Sequence, residues 1–323
     1  MSDITQVIEK GVKAHTEGDL QTAVNAYQAA LEMDNNHATV HNNLGFLYGQ
    51  MGQWQKAEFH LQEAVRLDPD MAVAFANLGQ VLAALGQAEA AVTHLHKAVE
   101  LEPGNADHWH NLARICFALN DFENAEYGWH RALGIQGNNI DYMVKMATAM
   151  VAQQRYDEAH RVFDAAINMN PEYQQAWAQK GVALFLEQNY GLCKKCLGRA
   201  LALDPSDYTT LKHLALVYIA CGENQTAMDY MYTLCEQFPG EASLACDLAV
   251  MELSAGEKLS ARERLGELVK DSRDSRTLYY FAVSLKETGG DYEQIKQLLA
   301  EVQSRNDEYS HRATESLRSL MAN

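Results

Sequence analysis

Cys193 and Cys196, in the run CKKC, have the spacing of a metal-binding or disulfide-exchanging pair. His94, His96, His108 and His110 crowd a second short stretch with the residue type that most often binds metals. Neither group is completed by its surroundings. No second cysteine pair lies near the first, and the histidines fall into two different segments. The sequence has no nucleophile and base at a suggestive spacing, no phosphate-binding glycine loop and no metalloprotease signature. Catalysis, metal and cofactor are therefore not expected. Carboxamides are the chemistry that remains. Asn43, Asn77 and Asn111 recur at a fixed interval. A carboxamide offers two donors and an acceptor, so a row of them can pair with the N–H and C=O groups of an extended peptide without reading its side chains.

The interval of 34 residues belongs to the whole chain. Repeats counted from Ile4, Ala38, Ala72, Ala106, Ile140, Gln174, Tyr208 and Ala242 place only Gly or Ala at their eighth position, as in Gly11, Gly45, Gly79, Ala113, Ala147 and Gly181. The twentieth position is Ala in every repeat but one, where Cys193 takes its place, and the twenty-seventh is Ala through Ala200. Small residues at these positions let two helices approach, and large ones at the fourth and twenty-fourth, such as Phe75, Trp109, Leu61 and Trp129, fill the space between them. All five prolines, Pro69, Pro103, Pro171, Pro205 and Pro239, occupy the thirty-second position and end the second helix. Such periodicity describes a solenoid in which each two-helix unit uses its neighbours as its core. Cys193 is then a small core residue, and Met143, Met146 and Met150 are core as well.

This pattern resembles the tetratricopeptide repeat family. The resemblance implies an all-α, right-handed superhelical solenoid of about nine helix-turn-helix repeats over residues 4–305. The ninth repeat begins near Ser275, and a capping helix covers 306–321. Leu278, Phe281, Ala282 and Leu285 carry the ninth repeat; Ala313, Leu317 and Leu320 give the last helix its apolar stripe.

Composition agrees. Hydrophobic residues make up 47% of 323, without the alternation of strands. No window reads as a leader or a membrane span, and the six cysteines follow no disulfide framework, so a cytoplasmic protein with no membrane insertion is expected. The formal net charge of −17 argues against nucleic acid. Most of that excess lies in the first half, where it either keeps the solenoid soluble or attracts a basic partner.

In the family's geometry the first helix of each repeat lines a concave groove with its second, fifth, sixth, ninth, twelfth and thirteenth positions, while the fourth, seventh, eighth and eleventh face the core. Repeats two to four then offer Asn42, Asn43, Asn77, Gln80, His110, Asn111 and Arg114 to a partner; later repeats offer Lys145, Gln179, Lys212, His213 and Asp247. The alternative is that the asparagines bond within the solenoid. Val182, Phe185, Leu216, Ile219, Val250 and Leu253 should make the far end of the groove apolar.

The asparagine row, with its NLG runs, looks like the repeat domain of O-linked N-acetylglucosamine transferase, in which groove asparagines hold the substrate backbone. Here the strict row covers three repeats, and no glycosyltransferase domain is legible after the last. The two-carboxylate clamp of heat-shock cochaperones is not matched, since the ninth positions include Val12, Phe46, Gln80 and Thr148. The reading is a non-enzymatic scaffold or adaptor, chaperone-like, that holds an extended or helical peptide segment. The alternative is a self-associating assembly factor for a secretion or pilus apparatus, a homo-oligomer.

Overall fold

A helix pair joined by a short turn buries one stripe of each helix and leaves the outer stripes to be covered by the pairs on either side. In a computed structural model, which describes residues 3–321, the chain does this within each of two units, and all its described regular elements are helices. The first unit, ending at Pro171, holds five pairs: α1 (Asp3–Thr16) with α2 (Leu20–Met33), α3 (Ala38–Gln50) with α4 (Trp54–Leu67), α5 (Ala72–Ala84) with α6 (Ala88–Leu101), α7 (Ala106–Ala118) with α8 (Phe122–Ile135), and α9 (Ile140–Ala152) with α10 (Tyr156–Met169). The second unit, from Glu172, holds α11 (Gln174–Leu186) with α12 (Tyr190–Leu203), α13 (Tyr208–Ala220) with α14 (Asn224–Gln237), α15 (Ala242–Ala255) with α16 (Lys258–Asp271), and α17 (Ser275–Glu287) with α18 (Tyr292–Ser304). It closes with α19 (Glu308–Met321), which packs on α17 and α18 through Ala313 and Leu317.

Close approach within a pair depends on the eighth position. A Cβ on Gly79 would stand 2.6 Å from Leu95 Cγ and 3.1 Å from the Ala91 carbonyl; one on Gly181 would stand 2.6 Å from Leu197 Cδ2. Repeat four has Ala113 at that position and recovers the space across the contact, where Gly128 of α8 faces it: a Cβ there would lie 2.9 Å from that of Ala113.

Within the first unit a first helix packs on its own second helix, on the second helix of the preceding repeat and on the first helices beside it, as α5 does with α6, α4, α3 and α7. The core is therefore wider than the four positions expected. Third-position Val40 and Ala74 and tenth-position Leu47, Val81 and Ile115 are buried as deeply as the rest. Met146 and Met150 are core, while Met143 is half-buried. Second helices α4, α6, α10, α12 and α14 end two residues before the prolines.

The turn between the two helices of a repeat contains a left-handed residue at the fifteenth position. Gly18, Gly52, Gly86, Gly222 and Gly256 supply it in five repeats, with φ between 69° and 86°, but Asn120, Gln154 and Gln188 adopt φ of 60–61° in repeats four to six.

Candidate functional site: a groove across three first helices

The first helices α3, α5 and α7 lie side by side, and their outer faces enclose a groove of about 530 Å³. Phe46, Trp54, Leu61, Val81 and Ile115 supply its apolar lining, and Gly49, Ala83, Ala84, Ala88 and Ala118 leave the space open. Gln50, Asn77, Gln80 and Arg114 supply the polar groups. Phe46 and Trp54 are large apolar side chains that remain exposed, at 39% and 36%. The face expected to be polar is thus half apolar. Trp54 was not among the expected groove residues, because it begins α4 and the family's geometry assigns grooves to first helices. Its size at the mouth of a turn was the available signal.

The asparagines are not equivalent. Asn42, expected to face a partner, is buried at 7% exposure; its Oδ1 accepts from Asn77 Nδ2 at 2.9 Å, across neighbouring repeats. Asn42 in turn donates to Asn43 Oδ1 at 3.3 Å, and Asn43 Nδ2 donates to the Tyr27 hydroxyl at 3.4 Å. A buried carboxamide keeps its partners because leaving them unpaired costs more than the bond returns. Asn42 and Asn43 thus belong to the scaffold, whereas Asn77 spans both roles, bonded to Asn42 and lining the groove. Asn111 is half-buried on α7.

His110 likewise turns inward. Its Nδ1 accepts from Trp129 Nε1 at 3.1 Å and its ring stacks on Tyr142 with 5.0 Å between centroids. Burial, reinforced by Lys145, holds its pKa below the ordinary value, which matches a neutral ring accepting at Nδ1. Lys145 is ion-paired with Asp141 one turn earlier. Of the residues named from sequence, the groove gathers Asn77, Gln80 and Arg114.

The other expected residues belong to the second unit and lie elsewhere. Gln179 is half-buried on α11. Lys212 sits 5.6 Å from the Tyr208 ring centroid, His213 Nδ1 donates to the Thr209 carbonyl at 2.7 Å, and Asp247 is ion-paired with Arg276. Of the apolar set, Leu216 and Ile219 are exposed, whereas Phe185 and Leu253 pack partly into the core.

Cys193 is fully buried and Cys196 nearly so, and neither is in a disulfide. Burial, with Cys196 and Cys221 nearby, pushes the Cys193 thiol up to about 12, so it is protonated and unreactive at neutral pH. The four histidines do not converge: His94 stacks on Phe75, His108 is buried against Glu102, His96 is exposed, and His110 is held as described. Among the described residues no three His, Cys, Asp or Glu side chains are grouped to hold a metal, and no helix is long and apolar enough to cross a membrane.

No curated protein matches the sequence. Solved structures do. A tetratricopeptide repeat protein from Parabacteroides merdae aligns with a TM-score of 0.63 at 15% identity, over 77% of this chain and 98% of that one. YrrB, described as a TPR protein with an unusual peptide-binding site, aligns at 0.52 and 21% identity, over 59% of this chain and 98% of that one. PilF of Pseudomonas aeruginosa aligns at 0.52 and 18%, over 63% and 93%. At these identities the likeness is one of fold. Models described as TPR repeat or tetratricopeptide repeat match residues 15–52, 38–71, 82–126 and 144–192. Residues 15–71, 82–126 and 144–192 are thus tetratricopeptide repeats, and helix pairs continue at the same 34-residue interval beyond these matches.

Proposed function

We propose that the protein is a non-enzymatic scaffold or adaptor that holds a segment of another protein in the groove across α3, α5 and α7. The observation that carries this reading is the groove itself, where exposed Phe46 and Trp54 adjoin a row of small residues and a rim of carboxamides. Apolar side chains left open beside unengaged space mark a binding surface. Asn77 and Gln80 are the carboxamides of the expected set that would hold a partner's backbone there, a shorter row than the full asparagine ladder. YrrB shares the fold and is described by its peptide-binding site, which makes the same use of this fold reasonable here.

Replacement of exposed Ala84 by Trp would fill the groove without touching the core. Affinity capture from a lysate of the source organism should lose its specific partner with Ala84→Trp while the circular dichroism stays unchanged. Equal capture by both forms would remove the groove from consideration. Leu216 and Ile219, exposed on α13, favour a second reading, self-association in an assembly. Light scattering that shows mass growing with concentration, and reverting with Leu216→Asp, would support it.

A further inference from the structure

The charge of the first unit is unevenly divided between its helix layers. α3 and α5 contain no Asp, Glu, Lys or Arg. The carboxylates lie mainly in second helices and turns, among them Glu63, Asp68, Glu100 and Glu126. Of the four on first helices, Asp107 accepts from the Tyr142 hydroxyl at 3.2 Å, Asp141 pairs with Lys145, and Asp3 and Glu9 lie on α1; none of them lines the groove. Among the described residues that line the groove, Arg114 alone is charged, and its side chain is exposed. A chain of net charge −17 thus presents a groove whose one ionised group is a guanidinium.

Distance decides which charge a bound segment feels. A helix is about 10 Å across, so carboxylates on the far faces of the second helices stand a helix layer away from the groove. That exceeds the Debye length of about 8 Å at physiological salt. Arg114 would be in direct contact. The long-range field of the protein is therefore screened where the guanidinium is not, and a guanidinium matches a carboxylate with two parallel hydrogen bonds.

We propose that the occupant of this groove is an extended segment carrying a bulky apolar side chain and, a few residues along, a carboxylate. The apolar side chain seats against Phe46 and Trp54, in the space left by Gly49 and Ala84, and the carboxylate pairs with Arg114. Phe46 and Arg114 are the ninth positions of repeats two and four, two helix spacings apart, which is roughly 20 Å between backbones. At about 3.3 Å per residue of extended chain, and with both side chains leaning inward, the carboxylate falls roughly three to six residues from the apolar anchor. Asn77 and Gln80, on the intervening α5, and Gln50 of α3 offer donors and acceptors to the backbone. This inference rests on the groove being the binding site and adds the chemistry of what it takes. It opposes the expectation of a basic partner.

The probe is a displayed library of random decapeptides, panned on the full chain at physiological salt, with enriched sequences resynthesised and titrated. The expected result is enrichment of peptides with a large apolar residue and an Asp or Glu at the stated spacing. They should bind Arg114→Glu about tenfold or more weakly, and panning on Arg114→Glu should enrich Lys or Arg in place of the acid. Enriched peptides without an acid, or with affinity for Arg114→Glu within about twofold of wild type, would overturn the charge assignment; if Ala84→Trp still abolished their binding, the groove reading would survive. If Ala84→Trp left binding intact, or nothing enriched, the groove reading itself would fall and the inference with it. A dimer of the chain alone that Ala84→Trp disperses would assign the groove to a second copy, which also overturns the proposal.

Discussion

Between the first helices α3 and α5 of the first unit, neighbouring repeats meet through carboxamides and apolar side chains, with Asn77 reaching Asn42. In the second unit α15 and α17 are linked by ions instead, and ions also tie second helices to the next repeat, as Glu126 and Arg155 do in the first unit. Lys194 of α12 pairs with Glu223 of the next repeat at 2.5 Å, Lys258 with Glu287 at 2.6 Å, and Arg276 of α17 with Asp247 of α15. The second unit goes further and buries a charge. Glu252 of α15 is wholly buried where other repeats place Tyr48, Leu82 or Met150; Arg264 at 2.9 Å and the Tyr232 hydroxyl at 2.8 Å satisfy it. The difference bears on function. A cation already paired on a first helix, like Arg276, is not offered to a partner, whereas α3, α5 and α7 meet without an ion pair and leave Arg114 exposed in the groove.

Four stability changes and one pH dependence would break or sharpen this comparison. Gly79→Leu attacks the apolar contact of the first unit, where even a Cβ meets Leu95 at 2.6 Å, and should cost about 3 kcal/mol or more. Thermal melting followed by circular dichroism checks it, and a loss below 1 kcal/mol would mean the helix contact is looser than described. Arg264→Leu attacks the second unit by stranding the buried Glu252 carboxylate. Breaking a buried pair costs roughly 3–5 kcal/mol, and because Arg264 is partly exposed a value of about 2–3 kcal/mol is expected. Adding Glu252→Leu should return most of that loss. A double variant as unstable as the single one would show that the ion pair is not the cause.

Asn42→Ala should cost about 1–2 kcal/mol because it strands the Asn77 amide, whereas Asn111→Ala should stay within about 0.5 kcal/mol. Equal losses in chemical denaturation would dissolve the distinction between Asn42, held within the scaffold, and the half-buried Asn111. The pH dependence concerns His60, whose Nδ1 lies 3.0 Å from that of His41; His41 Nε2 faces the Asn35 carbonyl, so His60 donates between the two rings. Burial, then His41, lowers its pKa to about 4. The unfolded chain takes up this proton at the ordinary value of 6.5, so the stability is whole above that pH and is lost as pH falls towards 4. Melting temperature should therefore decline from pH 7 to pH 5, and less steeply in His60→Gln; parallel declines would exclude His60 as the cause. The smallest effect is expected at Gln154, whose left-handed φ of 61° penalises a side chain. Gln154→Gly should stabilise by roughly 0.5 kcal/mol, and destabilisation in the same melts would refute that.

The helix pairs were legible because their determinants are local and repeated. Gly79 and Leu95, or Pro103 after α6, recur often enough that one sequence read against itself locates them. The site was legible only in part. Gln80 and Arg114 line a groove, and that much was legible because a side chain's face on a helix follows from its position. Asn42 was misplaced because its environment comes from α5, a whole repeat away, and Trp54 was overlooked because a second helix reaches the groove at its first turn.

By itself, then, the sequence determined the period, the helices and their turns, and the small residues at which helices touch, since each follows from what a 34-residue unit must bury. Tertiary structure alone decided which polar groups are spent inside the molecule and which remain open. Asn42, Asn43 and His110 are bound by neighbours, Glu252 is neutralised in a core, and Arg114 stays exposed. The physical reason is that burial and hydrogen-bond partners depend on the packing of adjacent repeats, which the face of a single helix does not specify.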